Sequence, residues 1–260
     1  MDKLFDSTVK IGKRHLENGM PCQDRTIAVQ YGDLVILAVA DGMGSYEKSE
    51  LGAEFAVNFV REHAKQMIST LRIKEGGDGS ILWEQKNGNR DFNKNIRAAM
   101  FDLQEGLINH ARILKLSPDD LHCTLSFSII SPEAFVNVSI GDSPLYTLMD
   151  DGPRFMDGND DGADRENINQ TFSVVDMDYS INYMSVEIGL TKHLRSVLIT
   201  SDGAIGWSKQ ERLLNSENFG DLPDWYYDML DGKSNLETAV DKLVEEGYDD
   251  VGIAYYVRDI

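Results

Sequence analysis

The sequence predicts an α+β fold in which two β-sheets pack together with helices on their outer faces. Three observations predict it. Segments with the period-two alternation of strands come in consecutive blocks. Segments with helical periodicity fall between those blocks, with one more near the end. The regular βαβα alternation of a doubly wound parallel sheet is absent. The 260 residues suffice for one large domain or two small ones, each with a sizeable core.

Thr26–Gln30 and Leu34–Ala40 read as paired strands joined by a tight turn at Tyr31-Gly32-Asp33. Ser49–Met67 reads as a helix, because Ala53, Ala56, Val57, Val60, Ala64 and Met67 recur at helical spacing. Asp91–Leu114 reads as a second, with Asp91 as its N-cap and Phe92, Ile96, Ala99, Leu103, Leu107, Ala111 and Leu114 on one face. Thr124–Ile129 and Ala134–Ile140 then alternate apolar and polar residues, a pattern that suits sheets packed on one face. Pro144–Met149, Thr171–Val175 and Ser196–Thr200 continue the strands. Ser234-Asn235-Leu236-Glu237 reads as a capping box that opens a short helix, which Gly247 stops; Val251–Val257 is the last strand. Ile73–Arg90 and the acidic, glycine-rich Asp150–Asn169 read as loops. Within the latter, Asp157, Asn159, Asp161 and Gly162 match half of a calcium-binding loop. Ile168 stands where that loop needs glutamate, so a solvated loop is the expectation.

The formal charge of −19 repels nucleic acid phosphates and anionic lipid, so neither is expected as a partner. Leu34–Ala40, the longest apolar run, is too short to span a bilayer, and Met1–Gly19 carries no signal-peptide pattern. Cys22 and Cys123 lack metal-ligand spacing; the two readings are a disulfide and a pair of buried thiols in a reducing compartment, and the second is the expectation, hence a cytoplasmic protein.

Chemistry-bearing residues gather in turns beside the strands. Asp41-Gly42-Met43-Gly44 follows one strand, Gly141-Asp142-Ser143 another and Ser201-Asp202-Gly203 a third. Asp249-Asp250 precedes the last strand, and Asp24 precedes the first. A carboxylate at a strand end is rigidly held yet faces an opening, and glycine beside it allows a sharp turn. Several carboxylates at one sheet end repel one another unless a cation joins them, and hard divalent cations prefer such oxygen ligands. Alone, Asp41-Gly42 and Asp202-Gly203 are ordinary Asp-Gly turns, and Gly141-Asp142-Ser143 is equally ordinary as a turn.

Taken in order, Gly12-Lys13-Arg14-His15, Cys22-Gln23-Asp24-Arg25, Val39-Ala40-Asp41-Gly42-Met43-Gly44, Ser49-Glu50-Leu51-Gly52-Ala53, Ile140-Gly141-Asp142-Ser143, Thr200-Ser201-Asp202-Gly203 and Asp249-Asp250-Val251 resemble the metal-dependent serine/threonine protein phosphatases of type 2C, in their bacterial branch. The resemblance runs from Gly12 to Val257 and implies a single domain over 1–260, a four-layer αββα sandwich with two central, mostly antiparallel sheets flanked by helices. It implies hydrolysis of phosphoserine and phosphothreonine in proteins by a water activated between two Mn²⁺ or Mg²⁺ ions, with a weaker third ion in some members. Asp41 is then expected to bridge both metals, the Gly42 carbonyl to bind one, and Asp202 and Asp249 to bind the other. Asp24 is expected to hold metal waters, and Asp142 to help bind the third ion with Asp202. Arg14 or His15 is expected to hold the substrate phosphate.

The chain departs from the family pattern at Met43, where some relatives carry a histidine, at Gln23 in place of glutamate, and at Asp250 in place of asparagine. Trp207 reads as a packing residue or a cleft residue. The expected partners are a phosphorylated protein and a cognate kinase. The competing readings are a catalytically silent phosphatase-fold module that binds a phosphoprotein or kinase, and a small-molecule phosphatase on the same site.

Overall fold

The period-two segments become two five-stranded antiparallel sheets in the computed structural model, which describes residues 5–69, 71, 73–75, 81–83, 88–156, 171–204, 222–247 and 249–258. The strands are β1 (Phe5–Lys10), β2 (Arg25–Tyr31), β3 (Leu34–Ala40), β4 (Ile73–Glu75), β5 (Ile81–Trp83), β6 (Leu125–Ile130), β7 (Ala134–Ile140), β8 (Leu145–Met149), β9 (Gly152–Met156), β10 (Ser185–Leu190), β11 (Leu194–Thr200) and β12 (Val251–Val257). One sheet has the order β1-β12-β11-β8-β9, the other β10-β7-β6-β3-β2, and β4 and β5 form a separate hairpin. Among the described residues the helices are α1 (Lys13–Glu17), α2 (Ser49–Met67), α3 (Gly88–Leu114), α4 (Met177–Ser180), α5 (Asp224–Leu230) and α6 (Leu236–Glu246).

Three apolar clusters make the layers. Ile36, Ala38, Leu125, Phe127 and Ile129 pack against Ala56, Val60, Ile96, Leu103 and Leu107 of α2 and α3. Leu37, Val39, Phe135, Leu145, Val197 and Ile199 fill the space between the sheets. Leu198, Val251 and Ile253 pack against Tyr226, Val240 and Val244 of α5 and α6. Burying the alternate faces of both sheets supplies the main stabilising term.

The structure corrects several expectations. The polar residues that alternate along β6 and β7 do not face solvent: Ser126, Ser128, Asn137 and Ser139 are buried. Their short side chains are partly satisfied by one another, as in Ser126 to Ser139 at 2.8 Å and Asn137 to Thr147 at 2.8 Å. Thr171–Val175 is not a strand. The Ser173 hydroxyl accepts from the Val175 N–H at 3.2 Å and caps a 3₁₀ turn over Val174–Asp176, an alternative that serine offers to the ladder. Helix α6 starts one residue later than a cap at Ser234 requires, because Asn235 Oδ1 accepts from Thr238 N–H at 2.8 Å. Helix α3 begins at Gly88 rather than Asp91. β9 lies inside the expected acidic loop, where Leu145 pairs with Met156, and β4 and β5 lie inside the expected loop over Ile73–Arg90. β1, α1 and β10 go unpredicted. The first two are short and half-buried or exposed over most of their length, so neither carries an apolar stripe.

Candidate metal centre

Antiparallel pairing brings the acidic turns to one end of the sandwich. β2 begins where β3 ends, with Arg25 opposite Ala40, so Asp24 and Asp41 emerge together. Val39 pairs with Ser126, and Leu125 with Ile140, so Asp142 leaves its sheet at the same end. In the facing sheet Thr200 pairs with Ile253, which brings Asp202 to Asp249 and Asp250. Lys10 pairs with Val251, so the Gly12–His15 stretch follows at this end too.

Local bonding holds each turn. The Asp41 N–H donates to Thr124 Oγ1 at 3.1 Å, and the Asp41 carbonyl accepts from the Thr124 N–H at 2.9 Å. Gly42 forms a bridge with Cys123, and the Met43 N–H donates to the His122 carbonyl at 3.0 Å. The Asp-Gly turn therefore extends the sheet. At Gly203 a Cβ would lie 2.0 Å from the Asp250 carbonyl oxygen, so only glycine lets the Asp202 turn cross the start of β12. The Ser201 N–H donates to the Gly252 carbonyl at 2.9 Å and the Gly252 N–H donates to Ser201 Oγ at 2.8 Å, fastening the same crossing. Thr171 Oγ1 donates to Asp142 Oδ2 at 2.7 Å.

Asp24 is buried, while Asp41, Asp142, Asp202 and Asp249 are half-buried. Burial is the largest cause pushing the carboxyl pKa up in Asp24, Asp41, Asp142 and Asp202. Neighbouring negative charge adds to it: Asp250 and Asp202 act on Asp24, Asp24 and Asp202 on Asp41, and Asp142 and Asp249 on Asp202. Asp202 is pushed up to about 6. Asp41 and Asp202 are in hydrogen-bonding contact, so these acids titrate as a group. Asp24 Oδ2 and Gln23 Oε1 are buried with no hydrogen-bond partner among the described residues. Crowded carboxylates, unpartnered buried oxygens and an all-oxygen donor set together fit hard divalent cations such as Mn²⁺ or Mg²⁺.

The two adjacent acids of the last turn have different surroundings. Asp249 Oδ1 accepts from Arg14 Nη2 at 3.1 Å and faces the opening. Asp250 points inward. Its Oδ1 accepts from the Gly12 N–H at 2.7 Å, and its Oδ2 from the Gln23 N–H at 2.6 Å and lies 2.8 Å from His15 Nδ1. His15, Asp249 and Asp250 bring potential ligand atoms within 4.8 Å of one another. Both Asp250 oxygens and both His15 ring nitrogens already have hydrogen-bond partners, in Gly12, Gln23, Arg14 and one another.

The structure thus gathers Asp24, Asp41, Gly42, Asp142, Asp202 and Asp249 at one opening, with Arg14 beside them, and leaves His15 buried behind Arg14. Sequence reasoning missed the anchoring by Gly12, Thr124 and Ser201, whose partners lie far away in the chain. Cys22 and Cys123 are unpaired; Cys123 is buried, but Cys22 is half-buried rather than buried as expected, and burial pushes both thiols up. Trp207 and the half calcium loop over Asp157, Asn159, Asp161 and Gly162 lie outside the described residues. Among the described residues no helix is long and apolar enough to cross a membrane.

Comparison with known proteins matches this architecture. The sequence fits the family model described as protein phosphatase 2C over residues 11–245. No curated protein matches the sequence. The fold is similar to that of the serine/threonine phosphatase Stp1 from Staphylococcus aureus, at 15% identity and a TM-score of 0.59, covering 98% of this chain and 95% of that one. It is similar to the catalytic domain of the serine threonine protein phosphatase PstP in complex with two manganese ions, at 15% identity and a TM-score of 0.59, covering 98% of each chain. It also resembles PppA of Pseudomonas aeruginosa, at 16% identity and a TM-score of 0.56, covering 98% of this chain and 97% of that one. The sheet order, the acidic end of the sandwich and a family match over nearly the whole length agree: the chain belongs to the protein phosphatase 2C family.

Proposed function

We propose that the chain is a protein serine/threonine phosphatase that hydrolyses phosphoserine and phosphothreonine with water activated by two divalent cations, Mn²⁺ or Mg²⁺. The observation that carries this reading is the convergence of Asp24, Asp41, Asp142, Asp202 and Asp249 on one opening, with Asp24 Oδ2 buried and unpartnered. When bound, the cations would supply Lewis-acid charge to the phosphoryl oxygens and lower the pKa of a water. Asp41, which contacts both Asp24 and Asp202, is the residue suited to bridge the pair. The Gly42 carbonyl would bind one cation, and Asp202 and Asp249 the other. Asp24 would orient water from behind, and Asp142 with Asp202 would take a weaker third ion.

Arg14 is the phosphate-holding residue of this reading. Both bonds of its guanidinium use Nη2, so among the described residues the Nε–H and the Nη1 hydrogens have no acceptor. Those hydrogens remain to donate to phosphate oxygens, from a group that keeps its charge. The substrate is a phosphorylated protein, produced by a cognate kinase, and the two unpaired cysteines suit a cytoplasmic setting. The PstP structure with two manganese ions supports the choice of metal.

The test is phosphate release from a phosphothreonine peptide and from an aryl phosphate, with chelator and then with Mn²⁺. The expected result is release that depends on Mn²⁺. Equal rates in chelator would contradict the mechanism, and no release from either substrate would favour the silent binding module.

A further inference from the structure

We propose that His15 and Asp250 form a positioning pair that aims the Arg14 guanidinium at the substrate phosphate, an inference that rests on the phosphatase reading above. A guanidinium only donates hydrogen bonds. His15 Nε2, 3.3 Å from Arg14 Nη2, must therefore present its lone pair. The ring proton is then on Nδ1 and is donated to Asp250 Oδ2 at 2.8 Å. Asp250 is itself fixed by the backbone N–H groups of Gly12 at 2.7 Å and Gln23 at 2.6 Å. The side chains of His15 and Asp250 are only 3% and 2% exposed, whereas that of Arg14 is 50% exposed. A rigid buried pair thus holds the inner edge of an otherwise mobile side chain.

The second Nη2 hydrogen goes to Asp249 Oδ1 at 3.1 Å. Two acceptors on one nitrogen fix the plane of the guanidinium and leave its Nε–H and Nη1 hydrogens for a phosphate. Gly44 leaves room for this placement, since a Cβ there would come 3.2 Å from Nη2. His15 itself has no free ring nitrogen for a phosphate. It acts through Arg14.

The experiment measures binding of inorganic phosphate to the Mn²⁺-loaded protein by calorimetry, together with KM and kcat for a phosphothreonine peptide. His15→Asn keeps a donor toward Asp250 and removes the acceptor toward Arg14. It is expected to raise the phosphate Kd and the peptide KM about tenfold, with kcat changed by no more than about twofold. Arg14→Lys keeps the charge but loses the planar guanidinium that His15 orients, and is expected to raise both to a similar extent. The double variant is expected to be no worse than Arg14→Lys alone, because the two residues act as one unit. ¹⁵N NMR of the wild-type ring is expected to show the Nδ1-protonated tautomer. An unchanged phosphate Kd in His15→Asn, additive effects in the double variant, or an Nε2-protonated ring would overturn the proposal. Wild-type protein that binds phosphate but hydrolyses no phosphomonoester would sink the phosphatase reading and leave the pair standing. Wild-type protein that binds no phosphate would sink the pair.

Discussion

Asp41→Asn is expected to lower Mn²⁺-dependent phosphate release by about a thousandfold or more, roughly 4 kcal/mol of transition-state stabilisation, while making the metal-free protein more stable. The two effects have one origin. Asp41 is pressed against Asp24 and Asp202, and burial already penalises its charge. An amide of the same shape removes that repulsion from the metal-free protein. It also removes the oxygen best placed to join two cations. Asp202→Asn is expected to show the same pair of changes, because Asp202 faces Asp142, Asp41 and Asp249. Steady-state kinetics with Mn²⁺ and urea denaturation in chelator check both halves. Near-wild-type kcat/KM in either variant would contradict the assignment, and so would a metal-free protein destabilised by the substitution.

The second large effect is on pH dependence. Asp24, Asp41, Asp142 and Asp202 hold their protons in the folded protein to higher pH than in the unfolded chain. For raised carboxyls the folded state binds more protons, so stability falls as pH rises. Their contribution is fully present below an unfolded pKa of about 4. It is lost as pH rises through the folded values, about 6 for Asp202 and well above the ordinary range for Asp24 and Asp41. Each group adds a slope of up to about 1.4 kcal/mol per pH unit inside its window. Metal-free protein is therefore expected to lose thermal stability steadily from about pH 4 to beyond pH 6. Mn²⁺ replaces those protons, so saturating Mn²⁺ is expected to flatten or reverse the slope, since metal binding strengthens as carboxylates ionise. Unfolding curves across this range, in chelator and in Mn²⁺, measure it. Identical slopes in the two series would show that the cluster binds no cation.

Much of this site is legible in the sequence because its acids stand at strand ends. Asp41, Asp142 and Asp202 each follow an alternating or apolar strand, and a glycine adjoins each. Antiparallel pairing then does the gathering. What stays hidden depends on partners distant in the chain. Asp249 and Asp250 are identical side chains in adjacent positions. Only the folded chain sets one at the opening and buries the other against Gly12, His15 and Gln23. The same holds for His15, which composition presents as an equal of Arg14 and which the fold seals behind it. In the fold, the serines of β6 and β7 mislead for a physical reason. Alternation reports which face is polar, and here the polar face meets the other sheet rather than water. Thr171–Val175 has strand composition, but one serine cap near its middle diverts the backbone into a 3₁₀ turn.

Mn²⁺ anomalous scattering from crystals grown with the metal decides whether these aspartates form a two-metal centre. Two neighbouring peaks are expected at the acidic end of the sandwich, with Asp41 touching both, Asp202 and Asp249 on one of them, and no such peaks in Asp41→Asn. A manganese peak away from Asp41, or an acidic end with no peak at saturating Mn²⁺, would contradict the two-metal centre.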